Sequence, residues 1–291
     1  MNHTTPKQKN QPPTTAIGEL FLVATPIGHL KDITLRALEV LASVDRIACE
    51  DTRTSQVLLN HYGIKAPLTS YHAHNEAAAS EHLVRDMQQG KRIALISDAG
   101  TPLLSDPGAR LVAAAIAANI RVTPIPGASA LLSAITISGL SATQFFYAGF
   151  LPTKAGARTA MLAQLATIPA TLVFYEAPHR LVATLGHLQK AFGDRAASVA
   201  RELTKRHEQC MRGRLSLLVE FYEEYAPRGE CVVMVEGAAP PAAMEDDTLD
   251  TALAEALKTM RVKEAVAHVA KQSGRAKSDV YARALVLKGD A

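Results

Sequence analysis

Apolar and polar positions change their period repeatedly along the chain, and the changes mark out alternating strands and helices. Residues 19–24, ELFLVA, form a short unbroken apolar run that stops at the turn residues TPIG; a run of that length predicts a buried strand. Residues 33–43, ITLRALEVLAS, carry apolar positions at helical spacing, and DRIAC (45–49) predicts a second strand with EDTR at its carboxyl end. NEAAASEHLVRDMQQG (75–90) predicts a helix, with Gly90 able to take the left-handed C-cap conformation. RIALIS (92–97), a helix from about Gly108, and RVTPI (121–125) continue the alternation. Strands and helices in that order predict a mainly parallel sheet covered on both faces.

A second α/β block begins near FFYAGFLP (145–152). Its pattern predicts a helix over about 154–167, a strand at 170–175, a helix at 179–192 and a strand at 197–202. A strand pair around 205–213, a helix at 214–225 and the strand ECVVMVEG (230–237) follow, and this later part predicts mixed or antiparallel pairing. GAAPPAAMEDD (237–247) has linker composition, and 248–288 reads as helix throughout. The expected organisation is a disordered tail (1–17), an N-terminal α/β domain (18–140), a C-terminal α/β domain (141–240), and a linker with a helical segment (241–291). A hydrophobic content of 48% in 291 residues supports two cores of ordinary size. The first seventeen residues are polar and Pro-rich and hold no signal-like apolar stretch. No run approaches the ~18 apolar residues of a membrane span. The three cysteines form no CxxC pair. A cytoplasmic protein without a membrane partner is expected.

One loop stands apart. SDAGTPLLSDPG (97–108) holds two Asp, two Pro and two Gly but no Lys, Arg, His or Cys. It follows a strand, as do ATPIG (24–28), EDTR (50–53) and PIPGASA (124–130), and open α/β sheets gather their ligands beyond the carboxyl ends of strands. No two glycines are two residues apart, Gly90-Lys91 has no glycine five residues earlier, and GxSxG is absent. Those absences remove the dinucleotide fingerprint, the phosphate-binding Walker loop and the hydrolase nucleophile elbow. What is left is a zwitterionic or nucleoside ligand held largely by backbone. Pro102 and Pro107 stiffen the loop, Gly100 and Gly108 let backbone approach closely, and Asp98 or Asp106 can accept from an amine or a ribose hydroxyl. Asp106 also has a second reading, as the cap of the helix that follows.

VATPIG, CEDTR, SDAGTPLLSDPG, PGASA, FYEAPHR, ARELTK and VMVEG occur in that order. Together they resemble the tetrapyrrole methylase superfamily, the class III S-adenosylmethionine (SAM) dependent methyltransferases, and within it the branch that acts on small-subunit ribosomal RNA. The resemblance spans about residues 18–288. It implies two α/β domains with the SAM cofactor in the cleft between them, plus a small helix-turn-helix-like segment. It further implies a homodimer, and 2′-O-methylation of a cytidine ribose in the decoding region of 16S rRNA within the 30S particle. By position, Gly100, Thr101, Leu104 and Asp106 would line the cofactor, and Ser129 and Ala130 would meet it from a helix start. Ile27, Ala177 and Val235 are transfers from neighbouring strand ends. His29 stands where the family usually has Asn, and Ala73 where an acidic residue is common.

Methyl transfer to a ribose hydroxyl needs close positioning, and a base or cation that favours the alkoxide. EDTR offers Asp51 and Arg53, HAHNE offers His74, Asn75 and Glu76, and ARELTK offers Glu202 and Lys205. All seven follow predicted strand ends and are expected to face the cleft. Asp51 and Arg53 can equally form a pair that only fixes its loop. Residues 201–214 hold five Lys/Arg against two Glu, and 258–288 hold eight Lys/Arg against two acidic residues. The last run reads as helix, glycine turn, helix, which suits nucleic acid and suits equally a cap on the core. Two other functions compete: methylation of a tetrapyrrole precursor or a diphthine-synthase-like reaction, and a non-catalytic RNA-binding module.

Overall fold

A computed structural model describes residues 17–239, 244 and 246–289. The expected disordered tail thus lies, but for Ile17, outside the described residues, as does part of the linker. Sheet one contains β1 (Glu19–Val23), β2 (Arg46–Cys49), β3 (Leu68–Ser70), β4 (Arg92–Ile96) and β5 (Arg121–Ile125) in the order β3-β2-β4-β1-β5. Every pairing in it is parallel. α1 (Leu35–Ser43) and α2 (Thr52–His61) cover one face over Val23, Leu41 and Ile47. α3 (Glu76–Gln88) and α4 (Ala109–Ala117) cover the other over Leu20, Leu83, Met87 and Leu111. Burial on both faces is why these strands read as unbroken apolar runs.

Sheet two has the order β6-β7-β10-β8-β9, from β6 (Phe145–Phe150), β7 (Thr171–Glu176), β8 (Ala196–Arg201), β9 (Gln209–Arg214) and β10 (Cys231–Val235). β6 and β7 are parallel, and β10 runs antiparallel between β7 and β8. Side chains alternate across β10. Cys231, Val233 and Val235 join the core beneath α6 (Ala155–Leu165), α7 (Leu181–Phe192) and α8 (Leu215–Glu224). Val232 and Met234 point to the other face.

That other face receives α5 (Ala130–Ile137), whose Leu131, Ala134 and Ile135 pack on Val173, Ala200, Val232 and Met234. α5 lies before the expected domain boundary, yet its side chains build the second domain's core. Its sequence, ALLSAITI, is apolar at every position but Ser133 and Thr136, with Leu132 left 53% exposed, so its periodicity does not declare it. The resemblance alone implied a helix start at Ser129 and Ala130, and α2 and the three-residue β3 were not expected. The strand pair expected around 205–213 is a single strand, β9, paired antiparallel with β8. Residues before it form a turn in which Glu202 (φ 51°) and Thr204 (φ 65°) are left-handed.

α9 (Asp246–Leu257), α10 (Val262–Ser273) and α11 (Lys277–Lys288) form a bundle with its own core, including Leu249, Leu253, Val266, Val269 and Val280. No residue of that core comes from either sheet domain, which disfavours the reading of this segment as a cap. Among the described residues no helix is long and apolar enough to cross a membrane.

Candidate active site

The loop after β4 is tied to the loop after β1 by a short antiparallel bridge. Thr25 N–H donates to the Gly100 carbonyl at 2.9 Å, and Gly100 N–H returns the bond at 3.0 Å. Ser97 Oγ also donates to the Gly100 carbonyl. Gly100 has φ 78°, a region that side chains resist. Its main-chain groups serve the bridge, so its glycine is demanded by the turn rather than by a ligand. Thr101 Oγ1 donates to the Ala128 carbonyl at 3.2 Å and links this loop to the one after β5. Leu103 (φ 74°) and Ser105 (φ 71°) are left-handed non-glycine residues. Strain of this kind persists where the surroundings over-determine it, often at functional sites. Ser105 Oγ meets the Tyr147 hydroxyl of the second domain at 2.6 Å.

The second domain approaches with the turn after β8. His29 N–H donates to Thr204 Oγ1 at 3.1 Å. A side chain at Gly28 would put its Cβ 2.5 Å from Lys205 Cγ. Lys205 Nζ in turn lies 2.8 Å from Glu202 Oε1. His29 therefore makes its cross-domain contact through its backbone.

Between these loops lies a cavity of about 390 Å³. Its apolar wall includes Ile27, Leu104, Ala130, Phe150 and Tyr175, and its acidic groups are Glu50, Asp98, Asp106, Glu176, Glu202 and Glu230. Among the described residues, Lys205 is the one cationic side chain of the wall. Glu176 is internally matched: it accepts from Thr184 Oγ1 at 2.6 Å and from Ala177 N–H at 2.9 Å, with Arg180 Nε at 3.3 Å. Burial, with the charges of Glu50, Asp98 and Glu230 added, pushes the Asp106 carboxyl up to about 6. Asp106 does not cap α4, because Gly108 occupies the N-cap and no side chain caps it.

Of the ten residues expected around a cofactor, Ile27, Asp98, Gly100, Thr101, Leu104, Asp106 and Ala130 line this cavity. Ser129 is buried behind it as the N-cap of α5. Ala177 sits one residue beyond Glu176 and outside the wall. Val235 is at the wrong end of its strand. β10 is antiparallel to its neighbours, so its start, Glu230 to Val232, reaches the cavity, while Val235 is fully buried at the far end. Glu230 escaped notice because the expectation assumed that carboxyl ends alone reach the rim.

The seven residues expected to face the cleft divide. Glu202 and Lys205 line it; Asp51, Arg53, His74, Asn75 and Glu76 do not. Asp51 caps α2 by accepting from Arg53 N–H at 2.8 Å, and Arg53 Nη2 lies 2.7 Å from its other oxygen. Those Arg53 hydrogen bonds hold the Asp51 carboxyl down at about 2, too low for a general base near neutral pH. Arg53 itself is 90% exposed. Asn75 accepts from His72 N–H and donates to the Ser70 carbonyl, so its amide is spent on the local turn. His74 is exposed, and Glu76 opens α3. These residues follow β3, the sheet's edge, two strands from β4. That displaces them by about 10 Å at the usual spacing between strands. Among the described residues no group of three or more His, Cys, Asp or Glu could hold a metal ion.

The family profile of Tetrapyrrole (Corrin/Porphyrin) Methylases matches residues 19–219, and the profile of the RsmI C-terminal HTH domain matches residues 242–288. Ribosomal RNA small subunit methyltransferase I of Mesorhizobium japonicum is 50% identical over 271 residues, 92% of each chain. The protein of that name from Synechocystis sp. is 45% identical and covers 94% of this chain and 100% of its own. Among solved structures, uroporphyrin-III-C-methyltransferase from Thermus thermophilus aligns with a TM-score of 0.54 at 20% identity, over 75% of this chain and 94% of its own. Cobalt precorrin-4 methyltransferase aligns with a TM-score of 0.57 at 16% identity, over 78% and 98%. At those identities the structural likeness speaks for the fold alone.

The raised Asp106 carboxyl has a consequence for stability. Its ionised form is disfavoured in the folded state, so ionisation above about pH 6 costs stability, and the cost vanishes below the ordinary carboxylate range, where both states are protonated. Asp106→Asn should raise the melting temperature by a few degrees at pH 8, and the gain should be gone by about pH 4. Thermal melts across that range check this; an equal gain at both pH values would refute it.

Proposed function

The chain belongs to the tetrapyrrole methylases, and on that premise we propose that it uses SAM to methylate the ribose 2′-hydroxyl of a cytidine in the decoding region of 16S rRNA. The observation that carries the reading is the cavity walled by both α/β domains, in a chain that also has the C-terminal helical domain of the ribosomal RNA branch. Identities of 45–50% with ribosomal RNA methyltransferases over nearly the whole chain outweigh a fold shared with tetrapyrrole enzymes at 16–20%. The non-catalytic reading is disfavoured because relatives 45–50% identical over nearly the whole chain bear the name of a methyltransferase.

The wall suits SAM chemically. Ile27, Leu104 and Ala130 offer apolar surface to an adenine, and Asp98 suits a ribose hydroxyl or an ammonium group. SAM bound there supplies an electrophilic methyl group. The protein's task is then to hold the acceptor oxygen in line and to exclude other orientations. Lys205, fixed by Glu202 at 2.8 Å, is the group of the wall that can stabilise negative charge growing on the acceptor oxygen. Arg53, exposed on the same rim and fixed by Asp51, is suited to a backbone phosphate. His74, Asn75 and Glu76 would then border the RNA rather than touch the reacting atoms.

The partner is small-subunit rRNA, within the 30S particle, in the cytoplasm where that particle is made. Edge strand β6 presents Phe145 and Phe146, each at least 40% exposed, which favours a homodimer.

Three measurements test these statements. Labelled methyl groups should pass from SAM to assembled 30S subunits and map to one cytidine ribose; transfer to a tetrapyrrole instead would overturn the reading. In that assay Lys205→Ala should reduce transfer at least about tenfold, with SAM affinity changed much less. Truncation after Gly237 should keep SAM binding and weaken RNA binding, and binding by the full chain should fall with rising salt as counterions are released. Loss of folding on truncation would show that the helical domain is structural. Sedimentation should give twice the 31.1 kDa chain mass, and a monomer at micromolar concentration would remove the homodimer.

A further inference from the structure

We infer that the cavity selects its cofactor by charge, retaining the sulfonium form and releasing the neutral thioether, through Glu50, Asp106 and Glu230 acting with the aromatic faces of Phe150 and Tyr175. The inference rests on the cavity being the SAM site, as proposed above.

Two independent features of the wall point to a cation. The first is uncompensated charge. Glu176 has Arg180 and Glu202 has Lys205, but among the described residues no salt bridge reaches Glu50, Asp98, Asp106 or Glu230. Asp98 is partly used, accepting from Asp51 N–H at 3.1 Å. The other three make no side-chain hydrogen bond among the described residues, although they converge on one cavity. The second feature is aromatic. Phe150 and Tyr175 line the same cavity, edge to face with ring centroids 5.9 Å apart. Tyr175 is further fixed by Tyr147 at 5.1 Å, and its hydroxyl accepts from Leu131 N–H at 3.2 Å. Carboxylates beside aromatic side chains are the chemistry that recognises a positively charged onium group.

SAM and S-adenosylhomocysteine share adenine, ribose, ammonium and carboxylate. They differ by one methyl group and one positive charge. In the transfer, the bond between methyl carbon and acceptor oxygen forms, and the sulfur–carbon bond breaks. Its electron pair stays on sulfur, which becomes a neutral thioether, and the hydroxyl proton leaves to water. The attraction between the wall and the sulfur end is then lost, so the wall itself promotes exchange of spent for fresh cofactor.

The test is calorimetric, on the full-length protein without RNA. SAM, S-adenosylhomocysteine and sinefungin, which carries an amine-bearing carbon in place of the sulfonium, are titrated into wild type, Glu50→Gln, Asp106→Asn, Glu230→Gln and Ala130→Trp. The three charge variants should each lose about three- to tenfold in affinity for SAM and sinefungin, while S-adenosylhomocysteine binding stays within about twofold. Retained thioether binding also shows that each variant is folded. Equal losses for all three ligands, or no loss for any, would overturn the inference. Ala130→Trp fills the cavity and should abolish all three. If it blocks binding while the charge variants affect the ligands equally, the site stands and charge selection falls. If it leaves binding of all three intact, the cavity is not the cofactor site and both fall.

Discussion

The seating of α5 on the second sheet fixes almost everything else about the site. Leu131, Ala134 and Ile135 are buried against Val173, Val232 and Met234, and burying each large apolar side chain is worth about 1.5–3 kcal/mol. Because α5 leaves the end of β5 directly, this packing holds the rims of the two sheets together. The loops after β1, β4 and β5 then meet the ends of β6, β7 and β8 and the start of β10. Tyr175 secures the arrangement chemically by accepting from the first turn of the helix, where a backbone N–H would otherwise lack a partner. A shift of α5 would open the cavity, part Ser105 from Tyr147 and separate His29 from Thr204.

Within that frame the charges are sorted by depth. Acidic side chains dominate the cavity wall, whereas Arg53 stands on the open rim. The same separation appears in how the carboxylates are spent. Asp51 is consumed by Arg53 and by the start of α2, and it stays ionised far below neutral pH. Asp106 is left without a cation among like charges. A cationic cofactor inside and an anionic backbone outside would each meet the opposite sign, and neither would gain by entering the other's place.

The sequence carried the alternation of elements well, because strands buried on both faces and amphipathic helices leave different periods. Its periodicity did not declare α5, whose start only the resemblance implied, or the three-residue β3, which is too short to show a period. Most of the cavity wall was legible, since the Gly/Pro-rich loops ATPIG, SDAGTPLLSDPG and PIPGASA follow parallel strands and so share a rim. Val235 was misplaced for the complementary reason: mixed or antiparallel pairing was expected in this part of the block, but the transfer still took the carboxyl end of the strand, and one reversed strand exchanges Val235 for Glu230 at the cavity. His74 and its neighbours follow a strand end on the same rim, but sequence does not give strand order, and β3 proved to be the edge.

Strand order limits what counting residues can show, and the helical domain makes the same point for charge. Its composition is strongly basic, yet Arg275 and Arg283 are turned toward Asp246 and Asp250, closing the bundle around the start of α9. Lys258 is paired with Glu255 on the surface. Lys263, Lys271 and Lys277 are exposed, and no salt bridge to them occurs among the described residues. The cations that hold the bundle together are therefore largely distinct from those available to a phosphate backbone. The domain's affinity for nucleic acid should follow the second group, because only charges not already neutralised within the protein displace counterions from RNA.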